Sequence, residues 1–311
     1  MPLPRKIWFK LQQLKSSWQE TFGGAGKGQH YDSTYRMCPE CRGLIERGAS
    51  VCPLCGASTK APRSRPSATP GRVLGVIPVP TTATSILMAA NILLYVLTWY
   101  LTQEHAAATL TQAPGWGGIS GPVLDRLGDT RFMLVFFDGQ WWRLVTAMFL
   151  HLNLLHIGMN MWVLLDIGPM AEQLFSSAKF LVFYLVTGVA GFLTTVMVTH
   201  ATSAGASGAI MGLIGVIIGV SFHHGSLGKE YRSRLWLWVF YIILLSLVAG
   251  GDNAAHIGGA ATGIVLGYTI PEGEPSTRAE ETLWGLLAVF AVIVIAGSFA
   301  LMALQLNQPP R

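Results

Sequence analysis

Between residues 83 and 305 the sequence is a succession of apolar runs, several close to the ~20 residues that a helix needs to cross a bilayer core. In hydrocarbon every backbone N–H and C=O must be satisfied within the chain, so such runs have to be helices. Charged residues make up only 12% of the 311 and apolar ones 51%, against roughly 25% charged in soluble domains. The expected class is an all-α polytopic membrane protein. Seven spans are predicted, at about 83–101, 146–168, 178–198, 207–222, 235–249, 254–270 and 283–305. The spans at 207–222 and 235–249 are short. At about 1.5 Å per residue the first covers ~24 Å of a ~30 Å hydrocarbon layer. Thr202-Ser203-Ala204-Gly205-Ala206 before it is therefore expected to dip below the surface, where irregular backbone survives only against protein or a water-filled cavity.

Basic residues set the orientation. Of the 21 Lys and Arg, twelve precede the first span, from Arg5 to Arg72. With the N-terminus cytoplasmic, the loops on that side hold Lys179, then Lys229, Arg232 and Arg234, then Arg278. The external side holds Arg126, Arg131 and Arg143 in one long loop. Seven spans then leave the C-terminus outside. No signal-peptide pattern opens the sequence, so the first span reads as the targeting signal. The membrane expected is a cell membrane of the bacterial inner-membrane type.

The region before the spans divides by composition. Residues 1–35 form a basic cytoplasmic segment. In it Lys6, Lys10 and Lys15 beside Ile7, Trp8, Phe9, Leu11 and Leu14 suit either an amphipathic helix on anionic lipid or a solvated one. Residues 36–60 hold all four cysteines, as Cys38-Pro39-Glu40-Cys41 and Cys52-Pro53-Leu54-Cys55. Two such knuckles suit tetrahedral thiolate coordination of zinc. Disulfides are the rival, which a reducing cytoplasm disfavours. A unit this small needs its metal to fold. It resembles a zinc ribbon, which implies a structural zinc and a binding or regulatory module, with room for a cytoplasmic protein partner. Residues 61–82, rich in Pro, Ser, Thr and Arg, read as a linker.

Reactive side chains are few. The external loop 102–145 carries Trp116, Phe132, Phe136, Phe137, Trp141 and Trp142. That density suits an interfacial lid whose Trp142-Arg143 end is anchored at the headgroups; an ordinary soluble loop is the plainer reading. In the second span His156 and Asn160 are four apart and share a helix face. They can donate to a developing oxyanion, or they can be interhelical hydrogen-bonded glue. His151, a turn further out, reads as structural, and Asp166 near Gly168-Pro169 as a cap or a snorkelling group. His223-His224 reads as solvated. The first and last spans read as scaffold.

Ser207 and His256 are each set among small residues, at the start of separate spans that enter from the outer face. A hydroxyl and an imidazole are expensive in hydrocarbon unless paired or wet. Gly208 and Gly212, Gly215 and Gly219, and then Gly259, Gly263 and Gly267 recur at intervals of four, the pattern of close helix approach. The two ridges are expected to pack together and hold Ser207 against His256 as nucleophile and base. No carboxylate is placed to orient the histidine within the membrane, Asp252 at the outer rim being the nearest. A buried carboxylate is costly, so a two-residue device is expected.

Trp142-Arg143, His151, His156-Ile157-Gly158-Met159-Asn160, Gly205-Ala206-Ser207-Gly208 and Ala255-His256-Ile257-Gly258-Gly259 followed by Gly263 together resemble the rhomboid family of intramembrane serine proteases, over roughly residues 84–271. The resemblance implies a rhomboid-like six-helix catalytic membrane domain, here 83–271. A C-terminal loop and a seventh transmembrane helix, 272–311, follow it. It implies Ser207 as nucleophile, His256 as base, and an oxyanion hole of His156, Asn160 and the Ser207 N–H. Met211 departs from the aromatic residue many members carry four after the serine, though methionine can make a comparable soft contact with an imidazole.

The implied activity is a serine endopeptidase that needs no cofactor for catalysis. It would cut transmembrane substrates in the bilayer near the outer face, where Gly, Ala, Ser or helix breakers expose the carbonyl. No nucleic-acid partner is expected. The alternative is a catalytically silent member that binds membrane proteins and guides their degradation or traffic; such members typically lack the serine or the histidine. A transporter fits poorly, because the spans contain no set of paired charges.

Overall fold

The computed structural model describes residues 81–306 without a gap, and before them residues 35–37, 44–46, 49–53, 56, 72–73 and 77–78. Two compact units are present, Met1–Ala68 and Thr69–Arg311, with the division inside the expected linker. The expected N-terminal amphipathic helix lies outside the described residues.

In the first unit β1 (Tyr35–Met37) pairs antiparallel with β2 (Leu44–Glu46), Tyr35 facing Glu46 and Met37 facing Leu44. Residues 38–43, which join the two strands, include Cys38 and Cys41. Cys52 is buried, and its carbonyl accepts the Gly56 N–H at 2.9 Å. Gly56 has φ +72°, which glycine adopts without a steric cost. Cys38, Cys41 and Cys55 themselves lie outside the described residues. Among the described residues no cluster of three or more potential metal ligands occurs.

The second unit begins with a short pair, β3 (Arg72–Val73) and β4 (Ile77–Pro78). Ten α-helices follow among the described residues. They are α1 (Thr82–Thr109), α2 (Gly121–Leu127), α3 (Phe132–Phe136), α4 (Arg143–Thr146), α5 (Leu154–Phe175), α6 (Ser177–Val198), α7 (Ser207–Ser221), α8 (Gly225–Ala249), α9 (Asn253–Thr269) and α10 (Arg278–Leu306). Helices stand at all seven expected places. Five of them are long and apolar enough to cross a membrane: α1, α5, α6, α10, and α7 with its continuation to His224. This is an integral membrane protein. The other two are α8, whose apolar part is confined to Leu235–Val248, and α9, with 17 residues.

Helix α7 lies at the centre. Every residue from Gly208 to Ser221 is buried, as expected for a helix apolar all round, and α6 and α9 flank it. By contrast α1 and α10 turn Ile86, Leu93, Leu286, Phe290 and Ile293 outward, the faces that meet lipid. The N-terminus of α1 is capped from a distance. The Glu172 carboxylate on α5 accepts the N–H groups of Ala83 and Thr84, each at 3.0 Å, and the hydroxyls of Thr81, Thr84 and Ser177. Thr81 makes no side-chain cap of its own, so Glu172 serves the donors that a helix start leaves unpaired.

Three spans differ from expectation, the fifth because α8 already starts at Gly225. The first runs on to Thr109. The second starts at Leu154, not near 146, and continues through Pro169 to Phe175. Its true start is marked by Asn153, whose side chain accepts the His156 N–H at 2.9 Å. Leu144 to Leu150 are apolar because protein covers them. They form α4 and a 3-10 turn (Ala147–Phe149) in the core, none of the apolar ones more than 5% exposed. Asp166 is exposed along the helix and caps nothing.

The long loop between the first two spans is a folded lobe. Val123, Leu124 and Leu127 of α2 and Val135 of α3 join the same core, while Trp116 (94% exposed), Phe137 (71%) and Trp141 (47%) face outward, as an interfacial surface requires. Arg143 corrects the expected headgroup anchor. It is 3% exposed and ties the lobe from within: its Nε donates to Gln140 Oε1 at 2.6 Å, and one guanidinium nitrogen donates to the Asp125 and Asp129 carbonyls at 2.9 and 3.0 Å. Trp142 is half-buried beneath the Arg143 guanidinium, 5.0 Å from ring centroid to Cζ.

Candidate active site

Helices α7 and α9 meet through their glycines. A Cβ built on Gly259 would overlap the Gly208 carbonyl oxygen, one on Gly263 that of Gly212, and one on Gly267 that of Val216. Backbone thus lies against backbone, as a small-residue seam permits. Both helices start at the same end of this seam, and their first turns carry Ser207 and His256. The Ser207 Oγ and His256 Nε2 are 2.8 Å apart, a hydrogen bond across forty-nine residues of sequence. Ser207 is half-buried and His256 is 5% exposed.

The ring of His256 is held on its other side as well. Its Nδ1 is 3.3 Å from Asn253 Oδ1, and the Asn253 amide nitrogen is 3.5 Å from the Ile243 carbonyl on α8. Asp252, the carboxylate nearest in sequence, caps α9 by accepting the Ala255 N–H at 3.0 Å and takes the Thr195 hydroxyl of α6 at 2.5 Å. It fixes where α9 begins, and the ring's partner is the neighbouring amide. A reading that looks only to carboxylates passes over Asn253. The signal was its position three before His256, on the same helix face.

The loop before α7 is pinned at several points. The Thr130 N–H and hydroxyl both donate to the Ser203 carbonyl, at 2.9 and 3.0 Å, and the Gly205 N–H donates to the Ala147 carbonyl at 2.8 Å. Thr130 adjoins Asp129, whose carboxylate lies 3.4 Å from the buried Arg143, so the lobe and the serine loop form one framework. Burial pushes the Asp129 carboxyl up to about 6, against the opposing pull of Arg131 and Arg143. Gly205 has φ +142°, and a Cβ there would sit 2.8 Å from the His156 ring and 3.7 Å from Ser207 Oγ. His156 Nδ1 accepts the Leu152 N–H at 3.4 Å. That assigns the proton to Nε2, on the edge that faces Gly205 and the serine.

Asn160 is buried one turn further along, and its amide donates to the His156 carbonyl at 2.9 Å. One N–H is thereby used by its own helix and the second remains for another acceptor. His151 is buried edge-on to His156, ring centroids 5.2 Å apart, a packing position. Met211 is fully buried in α7. His223 and His224 are exposed, facing the Tyr268 carbonyl at 2.9 Å and Glu272 at 3.0 Å, away from this site. A hydroxyl hydrogen-bonded to an imidazole, beside N–H donors, is an arrangement that can attack a carbonyl and receive the resulting oxyanion.

Comparisons with known proteins converge on one family. The profile described as Rhomboid domain matches residues 138–272. The putative rhomboid protease YdcA of Bacillus subtilis is 31% identical over 150 residues, 47% of this chain and 75% of that protein. Rhomboid protease GluP of the same organism is 31% identical over 177 residues, 55% of this chain and 33% of that protein. RHOMBOID-like protein 6, mitochondrial, of Arabidopsis thaliana is 33% identical over 157 residues, 49% of this chain and 51% of that protein. The chain thus spans about half the length of the plant relative and a third of GluP.

Proposed function

This chain belongs to the rhomboid family, and from that premise we propose that it is an intramembrane serine endopeptidase with Ser207 as nucleophile and His256 as general base. The observation that carries the reading is the 2.8 Å contact between Ser207 Oγ and His256 Nε2. It is held by glycine-lined helices in a protein that has, among the described residues, five apolar membrane-length helices. As Ser207 attacks a substrate carbonyl, His256 takes its proton. The proton then passes to the leaving amine, and water hydrolyses the acyl-enzyme. The His156 Nε2–H, an Asn160 N–H and the Ser207 N–H are the donors assigned to the oxyanion.

Substrates under this reading are transmembrane segments whose helix is weakened by Gly, Ala, Ser or a breaker near the outer face, since an intact helix shields its carbonyls. The proposed topology has a cytoplasmic N-terminus and an external C-terminus, which the concentration of Lys and Arg before α1 supports. The test is labelling of the detergent-purified protein by a serine-directed fluorophosphonate. Wild type is expected to label and to cut a model transmembrane substrate, and Ser207→Ala and His256→Ala to lose both. Equal labelling of wild type and Ser207→Ala, or none by folded wild type, would overturn the protease in favour of a silent membrane-protein binder.

For the N-terminal unit the proposal is one structural zinc held by Cys38, Cys41, Cys52 and Cys55. In support, β1 and β2 bracket the first knuckle in sequence, and the Gly56 N–H donates to the carbonyl of Cys52, the first cysteine of the second. Four thiolates would close the metal's coordination sphere, a structural arrangement. Elemental analysis of the purified protein is expected to give one zinc per chain, and Cys52→Ser to lose it. A metal-free wild type would reject the site.

A further inference from the structure

Resting on the serine-hydrolase reading, we propose that Asn253 is a positioning residue that holds His256 in the tautomer its base role requires. A neutral imidazole can accept the Ser207 proton at Nε2 only when its own proton is on Nδ1. Among the described residues, the side-chain oxygen at Nδ1 is Asn253 Oδ1, at 3.3 Å. The amide is itself oriented, because its nitrogen faces the Ile243 carbonyl at 3.5 Å. A flipped amide would set its N–H groups against the Nδ1–H and its oxygen against that carbonyl, two repulsive contacts. The same backbone turn that places Asn253 three residues before His256 is fixed by Asp252, which caps α9 and grips Thr195. The orienting group is thus a neutral amide at the membrane rim, where a carboxylate would carry a desolvation cost.

The contacts are long for hydrogen bonds, as catalytic ones often are without substrate. The expected loss on removing the acceptor is accordingly that of one neutral hydrogen bond, about tenfold in rate. The test compares wild type, Asn253→Leu and Asn253→Asp, purified in detergent and matched for thermal stability. Two readouts are used: the rate constant for fluorophosphonate labelling, and the 15N shifts of His256 at a pH where the ring is neutral. Wild type is expected to show the Nδ1–H tautomer. Asn253→Leu is expected to shift toward the Nε2–H form and label about tenfold more slowly, and Asn253→Asp, which keeps an acceptor oxygen, to restore the wild-type tautomer. An Asn253→Leu protein with unchanged tautomer and labelling rate would overturn the proposal and leave the protease reading intact. Failure of wild type itself to label would instead strike the protease reading, and the nitrogen shifts would still decide the role of Asn253.

Discussion

Gly205 lies where three requirements meet: a φ of +142°, a hydrogen bond from its N–H to Ala147, and contact with the His156 ring. An alanine there would strain the backbone and push His156 off the serine. Gly205→Ala is expected to lower stability by about 1–3 kcal/mol, the usual cost of such backbone strain. It should also slow fluorophosphonate labelling by more than tenfold; a thermal melt and a labelling time course would read the two effects. Asp129 gives a pH dependence. Its folded carboxyl titrates near 6 against an ordinary 3.8, so the folded state holds the proton more tightly than the unfolded one. The sign is then fixed: this contribution is full below about pH 4 and lost as pH rises through about 6. Denaturation in detergent is expected to show stability falling across that window, by on the order of 3 kcal/mol. Asp129→Asn should flatten the fall. These single-residue effects were partly legible in the sequence. Ser207, His256, His156 and the glycines stood out because reactive or small groups are unusual in apolar runs. Asn253, Gln140 and Asp129 did not, because an amide or an acid at the edge of an apolar run reads as ordinary surface until its partner is known.

The α7–α9 seam shows what a helix pattern can and cannot disclose. Intervals of four among Gly208, Gly212, Gly259, Gly263 and Gly267 predict close packing, and a side chain at most of these positions would meet the backbone of the partner helix. Gly263→Val is therefore expected to part the helices and cost about 4–5 kcal/mol or more. Gly297→Val on α10, where a Cβ meets nothing within 4 Å, should change stability by less than about 0.5 kcal/mol. Similar denaturation midpoints for the two variants would contradict the seam. Hydropathy misled where protein replaces lipid as the apolar surroundings. Leu144 to Leu150 look like the start of a span and are instead a buried turn against the core. An apolar scale cannot tell the two environments apart, and only the Asn153 cap marks the true start of α5. Likewise the pairing of Glu172 with the first turn of α1 joins segments nearly ninety residues apart, beyond what any local pattern encodes.

At the scale of the whole membrane unit, the question is how α10 is held on the rest. Its sequence is apolar with an exposed outer face, so hydrophobicity alone gives it no reason to leave lipid for protein. The specific contacts lie at two levels. In its C-terminal third, Phe299 meets Phe149 edge-on at 5.6 Å. At its start, the Lys179 side chain, 1% exposed, reaches Glu280 at 3.3 Å and lies 5.5 Å from the Trp284 ring. It also donates to the Pro271 and Gly273 carbonyls, each at 3.1 Å. One ammonium thus gathers the end of α9, the connecting loop and the first turns of α10 onto the base of α6, at the end of α6 opposite the serine loop. Because Glu280 remains partly exposed, solvent screens its share, and the carbonyls carry the rest. Glu280→Gln is expected to destabilise the protein far less than removal of the lysine, because solvent screens a partly exposed carboxylate. Lys179→Met should cost about 1–3 kcal/mol, because two carbonyls lose their donor. A double-mutant cycle on the pair should return a small favourable coupling, measured by denaturation in one detergent. Zero coupling with a large Lys179→Met effect would mean that the latch closes the loop and leaves α10 to its aromatic contacts. A favourable coupling would make the charge pair part of what docks the last helix.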